Sequence, residues 1–214
     1  MHGLERFWVK TMRNNITVSS SDMGNASSPS LTQNSISLFQ YNEVPSKLVG
    51  NSRYSEVEGV QQSGIFAVAQ WFLHRESMSH KKLQKMCYYA YAWFLVFFND
   101  PECLSGQINT LCPTGFEAWV HGPVCPELYQ YYRVYGWNDI PAAEKQPSFS
   151  SDVDDLLSQV WKTYGSFTAD QLEQLTHNEI PWQKARAGKN TDEPSNNKID
   201  DMIIFDFYSK MMTQ

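Results

Sequence analysis

The most apolar stretch of the chain, residues 86–98, predicts a helix that is buried on every side. Leu83, Cys87 and Ala90 begin one helical face, but the residues between them leave almost no polar surface on the other faces. Ser79 is a suitable N-cap, and Asn99 follows the last apolar residue. The stretch is shorter than the ~20 residues that a membrane-spanning helix needs. We therefore predict the central helix of a protein core.

Amphipathic patterns on both sides of this stretch predict further helices that pack against it. Apolar residues recur at helical spacing over residues 63–75 and 151–164. The link at 76–78 is short enough to make the first of these an antiparallel neighbour of the central helix. The remaining helical predictions are a helix running to about His177, one turn over 182–187 and a final helix over 199–211.

Capping signals mark the start of two of these helices. Ser151 and Asp154 have the spacing of a capping box, in which each side chain bonds to the backbone of the other residue. Thr168 and Gln171 repeat this spacing. The two pairs predict that one helix begins near residue 151 and the next near residue 168.

A stiff turn interrupts the helical pattern around Gly122. Glycine permits backbone conformations that other residues avoid, while Pro123 and Pro126 each fix one backbone dihedral. Pro126 suits the first position of a short helix, which Gly136 ends. Residues 115–120 ahead of the turn predict a short strand or hairpin arm. The turn either presents a binding surface or only redirects the chain.

The first 58 residues differ from the rest of the chain. Thr17–Ser37 is dense in Ser, Asn and Thr, so it has little apolar surface to offset the entropy of ordering. Two apolar islands interrupt this region, Leu4–Met12 and Ile36–Tyr41. We therefore predict a mainly α protein. A low-order N-terminal arm, 1–58, precedes a compact helical domain, 59–214, of about six helices with room for one short β-hairpin.

Composition and charge narrow the range of functions. A net charge of −6 and a pI near 5.3 argue against nucleic acid as the main partner. The first ten residues lack the apolar block of a secretion signal. Four cysteines occur without a CxxC pair, which fits reduced thiols. We predict a cytoplasmic protein that does not associate with a membrane.

Four basic residues crowd the first turns of the central helix, where the helix dipole prefers anions. They are His80, Lys81, Lys82 and Lys85. We interpret them as a solvated helix end. The alternative is that they face an acidic partner or a neighbouring carboxylate.

A search for reactive groups finds no convincing catalytic or metal site. Cys103, Cys112, His121 and Cys125 lack the closely spaced ligand pairs of structural zinc sites. Cys125 follows His121 by four residues, but the prolines between them disfavour the helical geometry of a thiol–imidazole pair. The acidic residues at 152, 154 and 155 complement a helix dipole. We predict no enzymatic activity, no cofactor and no metal.

Three sequence blocks, in this order, resemble the Panacea domain, and the resemblance extends over residues 62–210. The first block belongs to the central helix, the second to the stiff turn and the third to the predicted helix near His177. They consist of Leu83–Met86 with Tyr88–Ala90 and Trp93; Ala118–Trp119 with Gly122–Val124, Pro126 and Leu128–Tyr129; and Thr176–His177 with Glu179, Pro181–Trp182 and Ala185–Arg186.

The resemblance implies an antitoxin, encoded in a bacterium or phage beside a toxin that it neutralises by direct binding. The toxins of this family are diverse and include alarmone-synthetase-like enzymes. The alternative is an adaptor that delivers the toxin to a protease. The N-terminal arm has no counterpart in the family domain. Motif residues and aromatic residues together give the partner-binding candidates Trp71, Lys85, Trp119, His121, Gly122, Pro123, Val124, Tyr129, His177 and Trp182.

Overall fold

The computed structural model of the protein describes residues 64–99 and 108–211. The predictions for the N-terminal arm, including its islands Leu4–Met12 and Ile36–Tyr41, lie outside the described residues. Cys103 also lies outside them.

The described residues form a mainly α fold, as predicted. Their seven helices are α1 (Gly64–Arg75), α2 (His80–Phe97), α3 (Pro126–Tyr132), α4 (Ser151–Tyr164), α5 (Ala169–His177), α6 (Ile180–Ala185) and α7 (Asp201–Lys210). A 3₁₀ turn over Arg133–Tyr135 continues α3. Four short strands accompany the helices: β1 (Met78–Ser79), β2 (Glu117–Trp119), β3 (Gly122–Val124) and β4 (Asp139–Ile140).

Helix α2 lies at the centre of the fold, and the prediction that it is buried on every side is confirmed. All residues over 83–96 are buried, and α1, α4, α5 and α7 pack against it. Ser79 caps α2 as predicted, because its hydroxyl accepts a hydrogen bond from the Lys82 amide at 3.3 Å. No helix within the described ranges has the length and apolar character needed to cross a membrane.

The two capping predictions have different outcomes. The Thr168–Gln171 box is confirmed, with the Gln171 amide donating to the Thr168 hydroxyl at 3.2 Å and the reciprocal bond at 2.9 Å. The Ser151–Asp154 box is wrong, because Ser150 is the N-cap residue and makes no side-chain cap bond. The Asp154 carboxylate instead accepts a hydrogen bond from the Trp71 indole at 2.9 Å, which joins α4 to α1.

The residues of the stiff turn that begin at Gly122 form one strand of a β-hairpin. Strand β3 pairs antiparallel with β2, in the register Glu117↔Val124, Ala118↔Pro123 and Trp119↔Gly122. The predicted strand ahead of the turn is therefore confirmed. Pro126 opens α3 and Gly136 follows the 3₁₀ turn at a φ of +55°, also as predicted.

Element boundaries near the C-terminus differ from the predictions by a few residues. Helix α6 begins at Ile180, two residues before the predicted turn, because Pro181 fits within a first helical turn. Helix α7 begins at Asp201, since the Asp200 carboxylate caps it by accepting from the Met202 and Ile203 amides. No sequence pattern predicts the β1–β4 pair, whose strands contain two residues each.

Candidate functional site

The three sequence blocks meet around the side chain of Lys85. This lysine is 1% exposed, and its ammonium group donates a hydrogen bond to the Pro123 carbonyl at 2.9 Å. Gly122 has a φ of +93°, and a Cβ at this position would lie 2.6 Å from Lys85 Cε and 2.8 Å from Thr176 Oγ1. Only glycine permits this close approach of α2, β3 and α5. We call Lys85, Gly122, Pro123 and Thr176 the motif junction.

The charged form of Lys85 is disfavoured within the motif junction, because the side chain is buried. Burial lowers the pKa of its ammonium group to about 7, and the negative charge of Glu173 opposes this effect. The charged form of His80, in the first turn of α2, is disfavoured as well. Burial and the charge of Lys85 lower the pKa of its imidazole to about 4. His80 stacks on Tyr129 with ring centroids 5.3 Å apart.

The basic residues at the start of α2 are not a solvated helix end, so that interpretation is wrong. Lys81 forms ion pairs with Asp170, at 2.7 Å, and with Glu173. Lys82 donates to the Gly165 carbonyl at 2.8 Å. The alternative of a neighbouring carboxylate is correct for Lys81, because α5 brings two acidic residues to this end of α2.

A second polar contact joins the third block to α2 and α7. The Glu179 carboxylate accepts hydrogen bonds from the Tyr208 hydroxyl at 2.7 Å and the Tyr89 hydroxyl at 3.1 Å. Both tyrosines are fully buried, so the carboxylate faces the interior although the residue as a whole is half-buried. Burial raises the pKa of Glu179 to about 7.

Backbone atoms in the hairpin and directly after it are held by side chains from α2, from α6 and from Arg186, the residue after α6. The Trp182 indole donates to the Trp119 carbonyl at 3.0 Å, and the Arg186 guanidinium donates to the Ala118 carbonyl at 3.2 Å. The Gln84 side chain accepts from the Cys125 amide at 2.9 Å and donates to the Cys125 carbonyl at 3.3 Å. The motif residues therefore fix the hairpin to the helical core.

Six of the ten partner-binding candidates are buried and make contacts within the fold. They are Trp71, Lys85, Gly122, Pro123, Val124 and Trp182. The structure brings all of these except Trp71 to the motif junction or the adjoining hairpin. Trp71 lies apart on α1, where it bonds to α4.

The other four candidates form a partly exposed rim beside the motif junction. His121 lies at the hairpin turn with 74% of its side chain exposed, and its Nδ1 is 3.1 Å from Glu173 Oε1. Trp119 packs on Tyr129 with ring centroids 4.8 Å apart. His177 stacks on Trp182 at 3.9 Å, and burial lowers its pKa. We call Trp119, His121, Tyr129 and His177 the hairpin rim.

Among the described residues, the three most exposed large apolar side chains are ones that sequence analysis did not select as binding candidates. Tyr131 is 47% exposed, Val134 is 64% exposed and Trp137 is fully exposed. They lie on α3, the 3₁₀ turn and the residue after Gly136. We call these three residues the aromatic patch. The Tyr131 ring contacts the Phe66 ring edge-on, with centroids 5.3 Å apart.

Ring contacts connect the hairpin rim with the aromatic patch. Tyr129 stacks on His80, which contacts Tyr132 at a centroid distance of 6.3 Å, and Tyr132 contacts Tyr131 at 4.8 Å.

Among the residues that the structure describes, no three His, Cys, Asp or Glu side chains form a group that could hold a metal ion.

Comparison with known proteins finds one matching family and one similar antitoxin. Residues 83–183 match the family described as antitoxin SocA-like, Panacea domain, and this match lies within the range over which the sequence resembles that domain. The chain is 29% identical over 142 residues to "Antitoxin SocA" of Caulobacter vibrioides, an alignment that covers 60% of this chain and 71% of the relative. No solved structure matches the chain significantly. Residues 83–183 therefore match the Panacea domain of SocA-like antitoxins, and the similarity to Antitoxin SocA agrees with this match.

Proposed function

We propose that the protein is an antitoxin that neutralises a protein toxin by binding it directly. The observation that carries this proposal is the Panacea domain at residues 83–183, together with the similarity to Antitoxin SocA. The partner is accordingly a protein toxin, and an alarmone-synthetase-like enzyme is the first class to test.

The polar groups of Lys85 in the motif junction and of Glu179 in the second polar contact support binding without catalysis. Lys85 is committed to the Pro123 carbonyl, and the Glu179 carboxylate is committed to two tyrosine hydroxyls. A catalytic acid or base must reach the proton that it transfers. These groups lie beneath other side chains, so they serve the stability of the domain.

The aromatic patch supports a protein partner. Large exposed apolar residues mark interaction sites, and Trp, Tyr and Arg are enriched among the residues that dominate binding energy. Trp137 and Tyr131 supply two such rings, and the exposed Arg133 lies between them in sequence. We expect a toxin surface that offers an apolar pocket for Trp137 and a carboxylate for Arg133. The hairpin rim supplies secondary contacts.

Co-expression with a toxin encoded beside this chain, followed by co-purification, tests the proposal. We expect rescue of growth and a stable complex. Rescue without a stable complex, lost in a protease-deficient host, would replace direct neutralisation with the adaptor function. If the protein encoded beside this chain is toxic, and co-expression neither rescues growth nor yields a complex, an antitoxin role towards that protein is contradicted.

A further inference from the structure

Cys112 and Cys125 lie side by side at the base of the hairpin. Cys112 precedes β2 and Cys125 immediately follows β3, so the two residues flank the hairpin on either side. Their Sγ atoms are 3.3 Å apart, and both are free thiols in the structure. The chain therefore holds two thiols at contact distance without a disulfide between them.

The two thiols have unequal surroundings. The Cys112 Sγ lies 3.2 Å from the Thr114 hydroxyl, which itself donates to the Glu127 carboxylate at 2.9 Å. Pro113 and Thr114 are exposed, so Cys112 lies just below the surface although it is buried. The hydrogen bond with Cys125 lowers the pKa of the Cys112 thiol, while the same bond raises the pKa of the Cys125 thiol. Cys112 is therefore the thiol that ionises first.

We propose that Cys112 and Cys125 form a reversible disulfide when the protein meets a peroxide. The Cys112 thiolate attacks one oxygen of hydrogen peroxide, which breaks the O–O bond and leaves a sulfenic acid on Cys112 and one water after proton uptake. Cys125 then attacks the Cys112 sulfur, loses its proton and expels the sulfenic oxygen as a second water. The two thiols lose two electrons in total, and the peroxide gains them. This inference does not depend on the proposed function.

The bridge closes residues 112–125 into a ring that contains the whole hairpin. That hairpin supplies the Pro123 carbonyl to Lys85 and the Trp119 carbonyl to Trp182, so the bridge constrains the motif junction. Closing a loop of this length restricts the unfolded chain. We expect the thermal midpoint of the oxidised protein to be about 5–10 °C higher than that of the reduced protein.

Peptide mapping of the full chain provides the test. Cleavage after Glu102, Glu117 and Glu127 yields one peptide over 103–117 and another over 118–127. In a Cys103→Ser background each peptide holds one cysteine, so a linked pair identifies the bridge. We expect this pair after treatment with one equivalent of hydrogen peroxide, and its loss after reduction by dithiothreitol.

Matched variants and an unfolded control make the test decisive. Cys112→Ser and Cys125→Ala should each abolish the linked pair and the rise in thermal midpoint, whereas Cys87→Ser should retain both. Circular dichroism of each variant verifies folding. A linked pair that forms no faster in the folded chain than in the urea-unfolded chain would overturn the proposal. So would oxidation of Cys112 to a sulfinic acid without a bridge, or preferential linkage to Cys87.

Discussion

The motif junction and the aromatic patch lie within the same matched domain, yet the side chains of the junction are buried and those of the patch are exposed. Lys85, Gly122 and Thr176 are buried and close together, and the polar groups of the junction are bonded within the fold. Tyr131 and Trp137 present large rings to solvent. The most recognisable residues of the sequence therefore hold the fold, while the residues with the most exposed apolar surface carry no recognised motif.

This contrast has a physical cause. A glycine that admits a lysine and a threonine into one small volume tolerates almost no substitution, so the contacts at such a site define a sequence motif. A binding surface has to match its partner, and family members with different partners have no common requirement there. We therefore expect substitutions at the junction to change stability and substitutions at the patch to change binding.

The largest effect is expected for Gly122→Ala. The substitution combines an unfavourable φ with a clash against Lys85 Cε and Thr176 Oγ1, so it should destabilise the domain by about 3 kcal/mol. Gly188→Ala is the matched control, because Gly188 has a similar φ of +83° with no atom within 4 Å of the added Cβ. Urea unfolding should show a cost of only about 1 kcal/mol at Gly188. Equal costs would show that the junction is not closely packed.

The second effect is expected for Trp137→Ala at the aromatic patch. Loss of a fully exposed ring should leave the free energy of unfolding within about 0.5 kcal/mol of the parent value. Toxin binding should weaken by about 2 kcal/mol, or roughly 30-fold. Titration calorimetry with the co-purified toxin measures this change. Met202→Ala removes an exposed apolar side chain on α7 and should not alter binding.

The third effect concerns pH and the inward-facing carboxyl group of Glu179. The folded state keeps its proton up to about pH 7, whereas the unfolded state loses it near pH 4.5. The protonated carboxyl group therefore stabilises the fold fully below pH 4.5, and this stabilisation is lost as the pH rises through 7. The free energy of unfolding should fall by about 1.4 kcal/mol per pH unit across this window from this group. Glu179→Gln should remove that slope.

Lys85→Met is the control for the pH experiment, because Lys85 acts in a different window. Its folded pKa of about 7 lies below the value of 10.5 for an exposed lysine. Its contribution is therefore present above pH 10.5 and is lost as the pH falls through 7. Lys85→Met should flatten stability between pH 7 and 10.5 and leave the acidic window unchanged. A slope below pH 7 that persists in Glu179→Gln would assign it to another group.

The smallest effect tests how firmly α5 presents Thr176 and Glu173 to the junction. Thr168→Ala removes the side-chain cap at the start of α5 and should cost about 1 kcal/mol. Ser150→Ala alters the N-cap of α4, where no side-chain bond exists, and should cost less than about 0.5 kcal/mol. Thermal unfolding of both variants measures the difference, and a reversed order would contradict the assigned caps.

Local patterns predicted much of the fold. The continuous apolar run identified α2, and the spacing of Thr168 and Gln171 identified the start of α5, because both signals arise within one element. The hairpin was only partly predicted, since strands of three residues are stabilised by their partners. The Ser151–Asp154 prediction failed because Ser150 is the N-cap residue, and Asp154 bonds instead to a tryptophan from another helix.

The candidate site was harder to predict because exposure depends on tertiary structure. Lys85 lies in a basic cluster that looks solvated by composition, yet the packing of β3 and α5 buries it. Trp137 has no periodic signal, and it is fully exposed directly after the turn at Gly136. The domain limits 59–214 and the roles of the hairpin rim remain predictions.

Hydrogen–deuterium exchange of the chain, alone and bound to its toxin, tests the central claim most directly. If the aromatic patch contacts the toxin while the motif junction holds the fold, amides over 129–137 should exchange more slowly in the complex. Amides of α2 should exchange slowly in both states, because that helix is already buried. Slowing confined to other segments, with 129–137 unchanged, would contradict the account.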